Sequence, residues 1–474
     1  MIDLFKKDIF YKLNNKWLFE FLIVLLFIGV SFLGWYFSYS YSGFLICLLS
    51  IILLFIFNDF KYTIPASLCI IFSYNGGFEP GEFPMEIALY AGLFIFIIVL
   101  YTIYNFKIKS FKKGKSFIGI LALSIICFVP IFWNEAIVED RDKMLYAIYL
   151  TWFLYLFVFF VFIINLKGKN TRMMIFTISL LSLLISLECI TKVFQLHLEN
   201  PDKSILSISY NVGWGICNEA GIMLCFSMPF TFYLLLKSKN TVFSLFNMML
   251  ICISLFGIVL TTSRATLFFG LIEAGLLAML LIIFSKNRLL YLASFVFVIS
   301  LALAVIGMKY NVIDFVISIK DKIFADGLGD TGRICLYEKA MALWTKNFVN
   351  MTFGSGIISE IEGQWYNGTS QVVYLVYHST FFETIVMGGI VGLLALIFHL
   401  FEKYKQLYKK DLAFALAMAI GYFLVDIYGL IDNTYGMYYY MVPLVIVMAS
   451  LDVDKDVAIF ETKRYNNYSF SVLY

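Results

Sequence analysis

Two arginines and one histidine carry the side chains best suited to chemistry in this sequence. Arg264 lies between two apolar stretches that are joined almost without a loop, Arg333 follows a glycine at the start of an amphipathic stretch, and His378 lies in a Tyr-His-Ser sequence. Arginine has a planar, permanently charged fork that binds two phosphate oxygens. Histidine readily accepts a proton near neutral pH. Together, these side chains could hold a diphosphate and activate an incoming hydroxyl group.

The composition requires that these side chains be positioned by a membrane protein. Of the 474 residues, 61% are hydrophobic and only 14% are charged, with a mean hydropathy of +0.87. Soluble domains average about 25% charged residues, so the chain lacks the polar surface that water requires. These values exclude a soluble enzyme, a disordered chain, a disulfide-rich secreted domain and a nucleic-acid binder. We therefore predict an all-α, polytopic transmembrane helix bundle.

Apolar runs long enough to cross a hydrocarbon core of about 30 Å predict about 12–14 spans. The lower number applies if the second and third runs, which are short, are re-entrant. The alternating pattern of a transmembrane barrel is absent, so helices must satisfy the backbone within the lipid. The predicted spans are 17–37, 43–57, 61–74, 85–104, 117–133, 144–165, 173–194, 214–236, 243–260, 265–285, 289–308, 372–400, 412–430 and 435–450.

The distribution of Lys and Arg predicts which ends of the spans face the cytoplasm. If the amino terminus is inside, 24 of the 35 Lys and Arg residues fall in the inner segments. Cytoplasmic loops carry an excess of positive charge, so both termini are predicted to be cytoplasmic. The first apolar run contains Glu20 and lacks a small-residue cleavage site, and it is therefore predicted to remain as an uncleaved span.

One segment on the outer side is much longer than the other connections. We divide the chain into spans 1–11 (residues 1–308), this extracytoplasmic loop (309–371), spans 12–14 (372–450) and a cytoplasmic tail (451–474). Loops of this length are uncommon and usually functional, although a structural cap is the alternative. Apolar residues at helical spacing predict short amphipathic helices over 313–325 and 333–347. A Gly-Ser-Gly sequence at 354–356 indicates a flexible point.

Each candidate also has a structural interpretation. Arg264 could anchor a span at the interface, Arg333 could cap or pair within the loop, and His378 could be buried against a backbone carbonyl. Asp432, at the outer end of the thirteenth span, could orient His378 or bind a sugar. The residues to which we assign substrate binding are Asp432, Glu219, Trp344 and Tyr377. We predict neither a metal site nor a cofactor.

Three segments resemble the O-antigen ligase and polymerase superfamily of bacterial envelope glycosyltransferases. The first is Leu-Thr-Thr-Ser-Arg-Ala-Thr-Leu at 260–267, which leads into an apolar span like the family's Ser-Arg element. The second, 332–356, runs from Gly-Arg through a tryptophan-bearing helix to Gly-Ser-Gly, like the family's periplasmic loop. The third, 378–392, fits the ligase pattern H-[NSQ]-x9-G-x-x-G. The resemblance covers residues 210–440, and it departs from the family at Ala265, where glycine is common, and in the number of spans.

The resemblance implies a metal-independent, inverting transfer of a glycan from a polyprenyl diphosphate at the outer face of the bacterial cytoplasmic membrane. Arg264 and Arg333 would bind the diphosphate, and His378 would act as the base or orient the acceptor. The implied partners are an undecaprenyl-diphosphate-linked oligosaccharide, an acceptor glycan and the lipid bilayer. A chain-length regulator is compatible with this activity, although no residue points to one.

Three functions compete at this stage. We favour a polymerase that transfers a growing chain onto another lipid-linked repeat unit. The abundance of Ile, Phe, Asn, Lys and Tyr suggests an AT-rich genome, in some cases one without lipopolysaccharide. The alternative is a ligase that transfers the finished chain to lipid A core or another acceptor, and the pattern at 378–392 favours it. A lipid-linked oligosaccharide flippase is the third hypothesis, but the sequence lacks matching halves and has one large one-sided loop.

Overall fold

The computed structural model describes residues 16–73, 85–106, 114–132, 142–199, 211–285 and 333–457, apart from short gaps, and scattered positions between 288 and 300. The predicted helix 313–325 and most of the predicted span 289–308 lie outside these residues. The helices are α1 (Trp17–Tyr36), α2 (Ser42–Phe57), α3 (Thr63–Cys69), α4 (Met85–Asn105), α5 (Phe117–Phe128), α6 (Asp142–Asn165), α7 (Thr171–Glu199), α8 (Cys217–Lys237), α9 (Thr241–Leu260), α10 (Arg264–Phe284), α11 (Arg333–Trp344), α12 (Phe348–Phe353), α13 (Thr380–Lys405), α14 (Leu412–Tyr428) and α15 (Tyr438–Val453).

The helical fold class is confirmed. Within the described residues, six helices are long and apolar enough to cross a membrane, and shorter apolar helices accompany them. The sequence did not predict two small antiparallel hairpins. One pairs β1 (Asn211–Val212) with β2 (Gly215–Ile216), and the other pairs β3 (Ser359–Glu362) with β4 (Gln371–Tyr374).

Two predicted spans differ from the observed elements. The run at 61–74 consists of α3 flanked by the 3₁₀ turns Phe60–Tyr62 and Ile70–Phe72. At about 1.5 Å per residue, α3 is far too short to cross a bilayer, as the re-entrant alternative anticipated. The run at 372–400 begins as strand β4, which straddles the boundary drawn at residue 371, and becomes helical only at Thr380. Two consecutive valines in β4 favour the strand.

The centre of the bundle is formed by α7 and α8. In their most apolar windows, 83% and 89% of the residues are buried, compared with 28% in α10. Within the described residues, most of the α10 surface is therefore exposed, and its few buried positions mark the side that packs on the bundle.

Carboxylates join neighbouring helices at one end of the bundle. Asp452, in α15, accepts a hydrogen bond from the backbone N–H of Ser116 at 2.9 Å, just before α5. Asp454 does the same for Thr171, at the start of α7, at 2.7 Å. An anion at a helix amino terminus is stabilised by the exposed N–H groups and the helix dipole. These contacts bring together segments that the Lys and Arg count assigns to one side.

Helix α13 is sharply bent at Gly389, whose φ of 62° and ψ of −155° are accessible essentially only to glycine. The N–H of Thr380 binds the carbonyl oxygen of Gly429 at 2.7 Å, while Lys403 Nζ binds Asp426 Oδ1 at 2.5 Å. A straight helix would separate the Cα atoms of Thr380 and Lys403 by about 34 Å. These two bonds join α13 to Asp426 and Gly429, which are only three residues apart. The Cα atoms of Thr380 and Lys403 can therefore be no more than about 24 Å apart.

This limit fixes the shape of α13. Taking about 13 Å for 380–389 and about 21 Å for 389–403, the two halves meet at a right angle or less. The first half of α13 therefore does not continue the line of the second half, and it instead turns across the end of α14. Only the second half can run through the bundle beside α5.

The Lys403–Asp426 pair lies within a cluster of tyrosines. The Lys403 side chain is fully buried, and its Nζ donates to Asp426 and to the Tyr435 hydroxyl at 2.7 Å. The hydroxyl groups of Tyr404 and Tyr435 donate to the two carboxylate oxygens of Asp426 at 2.7 and 2.9 Å. The buried charges are thus paired and hydrogen-bonded, which is the condition for placing them away from water.

We expect Lys403→Ala to destabilise the protein by about 3 kcal/mol, because Asp426 would remain buried without its cation. Thermal unfolding in detergent would measure the loss. Lys405→Ala, at an exposed position two residues along α13, is the matched control and is expected to change little. The double variant Lys403→Met with Asp426→Asn should recover most of the stability, and equal losses in the single and double variants would contradict this account.

Candidate functional site

The turn 429–434 follows α14 and connects the elements that carry the candidate residues. We name it the outer turn after the side of the membrane that the charge distribution predicts for it. The N–H of Thr380 donates to the carbonyl oxygens of Gly429 and Asp432, at 2.7 and 3.2 Å. The N–H of Thr434 donates back to the Thr380 hydroxyl oxygen at 3.0 Å. A Cβ atom at position 429 would lie 2.7 Å from the Thr434 hydroxyl oxygen, so this packing favours glycine. The start of α13 is therefore fixed on the outer turn.

His378 and Asp432 face each other at this turn. The His378 Nδ1 atom lies 3.5 Å from Asp432 Oδ1, and the side chains are 47% and 4% exposed, respectively. Asp432 Oδ1 also accepts the N–H of Asn433 at 2.9 Å. A buried carboxylate beside a solvent-facing imidazole can orient the ring and stabilise its protonated form. The structure thus brings together two residues whose pairing was proposed from the sequence.

Arg333 is attached to the same turn. It begins α11, which confirms a helix within the predicted range 333–347, and its Nη1 donates to the carbonyl oxygen of Ile431 at 2.6 Å. This bond uses one of the five guanidinium N–H groups. The fork can still offer donors to the oxygens of a phosphate. The Arg333 side chain is therefore bound to the backbone of Ile431, the residue before Asp432.

Arg264 reaches this end of the bundle through its neighbour. It is exposed at the first position of α10, directly after the capping residue Ser263. The Ser263 hydroxyl oxygen lies 3.4 Å from that of Tyr428 and accepts the hydroxyl of Thr266 at 2.9 Å. Tyr428 ends α14, and its carbonyl oxygen accepts the N–H of Asp432 at 3.0 Å. The structure therefore places Arg264 at a helix amino terminus, which favours anions, beside the outer turn.

Glu219 lies in the first turn of α8, close to the start of α10. A Cβ atom at Gly221 would lie 2.3 Å from the Thr266 hydroxyl oxygen, so the two helices make close contact there. Glu219 is thus at the same end of the bundle as Arg264. Its assignment to substrate remains a prediction.

Trp344 and Tyr377 pack in a small core beneath α11. This core contains Ala340, Ile385 and Val386, and it joins α11 to the first half of α13. The indole N–H of Trp344 donates to the carbonyl oxygen of Met351 at 3.0 Å. These contacts favour a role in supporting the site, and direct sugar binding by either residue remains a prediction.

The Gly-Ser-Gly segment joins the loop helices to the bend in α13. The torsions of Gly389 interrupt the helical bond to the Val386 carbonyl oxygen, which instead accepts the N–H of Ser355 at 2.7 Å. A Cβ atom at Gly354 would lie 2.3 Å from the Met387 carbonyl oxygen, and one at Gly389 would lie 2.5 Å from the Thr352 backbone. The segment 354–356 and the glycine-containing part of α13, both singled out in the sequence, are therefore in direct contact and form one joint between the loop helices and α13.

Sequence reasoning missed three contributors. Glu383 lies in an apolar run that gives no sign of its partner, and its carboxylate accepts the N–H of Tyr377 at 3.2 Å. Tyr337 lies one helical turn after Arg333 and contacts the backbone of His378. Asp426 pairs with Lys403. The i, i+4 spacing of Tyr337 from Arg333 was a local signal, whereas Asp426 and Lys403 are 23 residues apart.

Comparison with known proteins agrees with the sequence resemblance. Residues 248–397, about a third of the chain, match the family described as O-antigen ligase. The matched region includes Arg264, Arg333 and His378 and ends before Asp432. No curated protein matches the chain. Residues 248–397 are therefore similar to the O-antigen ligase family, and this match supports the resemblance to the O-antigen ligase and polymerase superfamily.

Proposed function

We propose that the protein polymerises polyprenyl-diphosphate-linked oligosaccharide repeat units into a surface polysaccharide. The reaction is an inverting glycosyl transfer that requires no metal ion. The bond between the anomeric carbon and the diphosphate breaks, and the acceptor hydroxyl forms the new glycosidic bond. The hydroxyl proton passes to His378, and the polyprenyl diphosphate leaves.

In this proposal each site residue has one task. Arg264 and Arg333 bind the diphosphate and stabilise the charge that develops on it as it leaves. His378 accepts the proton, and Asp432 orients the imidazole and stabilises its protonated form. The observation that carries the proposal is that His378 faces Asp432 in the outer turn while Arg333 is bonded to the same turn. Arg264 follows Ser263, whose hydroxyl oxygen lies 3.4 Å from that of Tyr428, just before the turn.

The location follows from charge. Most Lys and Arg residues fall in the segments that the sequence assigns to the side of Asp452 and Asp454, so we propose that this end of the bundle is cytoplasmic. The outer turn then lies at the outer face of the bacterial cytoplasmic membrane, where a polyprenyl-linked donor, proposed to be undecaprenyl-linked, can reach it laterally.

A ligase is the second candidate. The family match carries the description O-antigen ligase, and residues 378–392 fit the ligase pattern. In a ligase the same residues would act on the donor, and the acceptor would be a different molecule, such as lipid A core.

Purified protein incubated with a synthetic polyprenyl-diphosphate repeat unit tests the proposal. A ladder of products on a gel is expected from the wild type, with and without EDTA. Arg264→Lys and Arg333→Lys should lower kcat/KM by about 30-fold each, because an ammonium group cannot replace a bidentate fork. Lys239→Arg, in the connection between α8 and α9, is the control and should leave the rate unchanged.

The other outcomes are distinct. A single product formed only with a second acceptor would replace the polymerase proposal with the ligase. No transfer under any condition, with intact donor moving across vesicles, would instead indicate a flippase.

A further inference from the structure

His378 has a backbone conformation that residues other than glycine rarely adopt. Its φ is 47°, and it directly precedes Ser379, the capping residue of α13. A residue in this region is strained and persists only where its surroundings hold it. The contacts around His378 should therefore show what maintains this conformation.

Glu383 holds the backbone N–H of Tyr377, the residue before His378. It lies in the first turn of α13, partly buried, and its Oε2 accepts the N–H of Tyr377 at 3.2 Å. The side chain thus reaches back across the helix start and satisfies a backbone donor outside the helix. This contact fixes the path of the chain as it enters His378.

Tyr337 holds the peptide group after His378. Its hydroxyl donates to the His378 carbonyl oxygen at 3.4 Å, and its ring stacks on Phe382 with centroids 4.3 Å apart. The pKa of the Tyr337 hydroxyl is raised, mainly by burial. The charge of Arg333 lowers this pKa and that of Asp432 raises it. The hydroxyl therefore stays protonated and remains a donor.

We infer that Glu383 and Tyr337 are positioning residues. Glu383 binds the backbone N–H of Tyr377, Tyr337 binds the carbonyl oxygen of His378, and together they set the His378 ring against Asp432. This inference rests on the proposed function of His378 as the proton acceptor. Neither residue touches the reacting atoms. Their effect on transfer comes from the placement of the imidazole, for which a displacement of about 1 Å has a large effect on rate.

The variants separate hydrogen bonding from charge. Glu383→Ala removes the acceptor and should lower kcat about tenfold with KM within about twofold of the wild type. Glu383→Gln keeps an acceptor oxygen and should restore kcat to within about twofold. Tyr337→Phe keeps the stacking on Phe382 and should lower kcat about threefold. Glu338→Ala, exposed on the same helix as Tyr337, is the control.

A second measurement does not depend on activity. The chain has three histidines, so a protein labelled with ¹³C-histidine and placed in nanodiscs gives three ring signals. His378→Asn identifies the signal of interest. We expect this signal to move in Glu383→Ala, to keep its wild-type position in Glu383→Gln, and to move alone, with those of His197 and His399 unchanged.

Two results would overturn the inference. One is an unmoved His378 signal in Glu383→Ala. The other is an equal loss of kcat in Glu383→Gln and Glu383→Ala, which would make Glu383 a proton acceptor rather than a positioning residue. A wild type without transferase activity would instead contradict the proposed function, and the ring signals would still report whether Glu383 positions His378.

Discussion

Replacing His378 with asparagine is expected to lower glycosyl transfer by about 10³-fold, because general base catalysis contributes about 10²- to 10⁴-fold. Asparagine is the informative substitution, since it tolerates the left-handed backbone of this position but cannot accept the proton. The donor should still bind, because Arg264 and Arg333 are unchanged. The loss should therefore appear in kcat, with KM for the lipid-linked donor little affected.

The measurement is single-turnover transfer by purified protein, with donor binding followed separately by native mass spectrometry. His197→Ala, in the last turn of α7, is the matched histidine control and should retain wild-type rates. A His378→Asn protein that transfers glycan within tenfold of the wild type would show that another group accepts the proton. Loss of donor binding in this variant would mean that His378 acts on the diphosphate.

Replacing Gly389 with alanine is expected to have the largest effect on stability, about 3 kcal/mol or more. The added Cβ atom would lie 2.5 Å from the backbone C and O of Thr352 and 2.7 Å from the N of Gly354. The φ of 62° and ψ of −155° also disfavour any side chain. Relief of these contacts requires α12 to move away from α13, and α11 with Arg333 would move with it. Transfer should therefore fall together with the melting temperature.

The control for this variant is Gly275→Ala in α10, where an added Cβ atom meets nothing within 4 Å. It should melt at or slightly above the wild-type temperature, since alanine favours helix more than glycine does. Thermal unfolding in the same detergent compares the two variants. Equal melting temperatures for Gly389→Ala and the wild type would contradict the joint between the Gly-Ser-Gly segment and α13.

The sequence was sufficient to predict the membrane class, several segments that share one end of the bundle, and the pairing of Asp432 with His378. These features depend on composition, on the placement of charge and on residues at the ends of apolar runs. The helix at Arg333 was also predictable, because its apolar residues recur at helical spacing.

The bend in α13 was not predictable. The predicted span 372–400 has no bend, and this is the largest difference between the predicted and the observed helices. Apolar periodicity continues across Gly389, and only a long-range contact, from Ser355 to Val386, shows that the helix is broken. The partners of Glu383 and Asp426 were not predictable either, because a carboxylate in an apolar run carries no local mark of its partner. Hairpin β3–β4 was missed because short strands within a polar loop give a weak pattern.

Anchorage of the site on backbone atoms bears on the construction of chimaeras. Thr380 and Arg333 bind carbonyl oxygens of Gly429, Ile431 and Asp432, so the path of the outer turn matters more than most of its side chains. A graft of the loop region from a relative with different sugar preference would import an arginine without the carbonyl that holds it. The exchangeable unit is therefore discontinuous, and it comprises residues 333–392 together with 428–435.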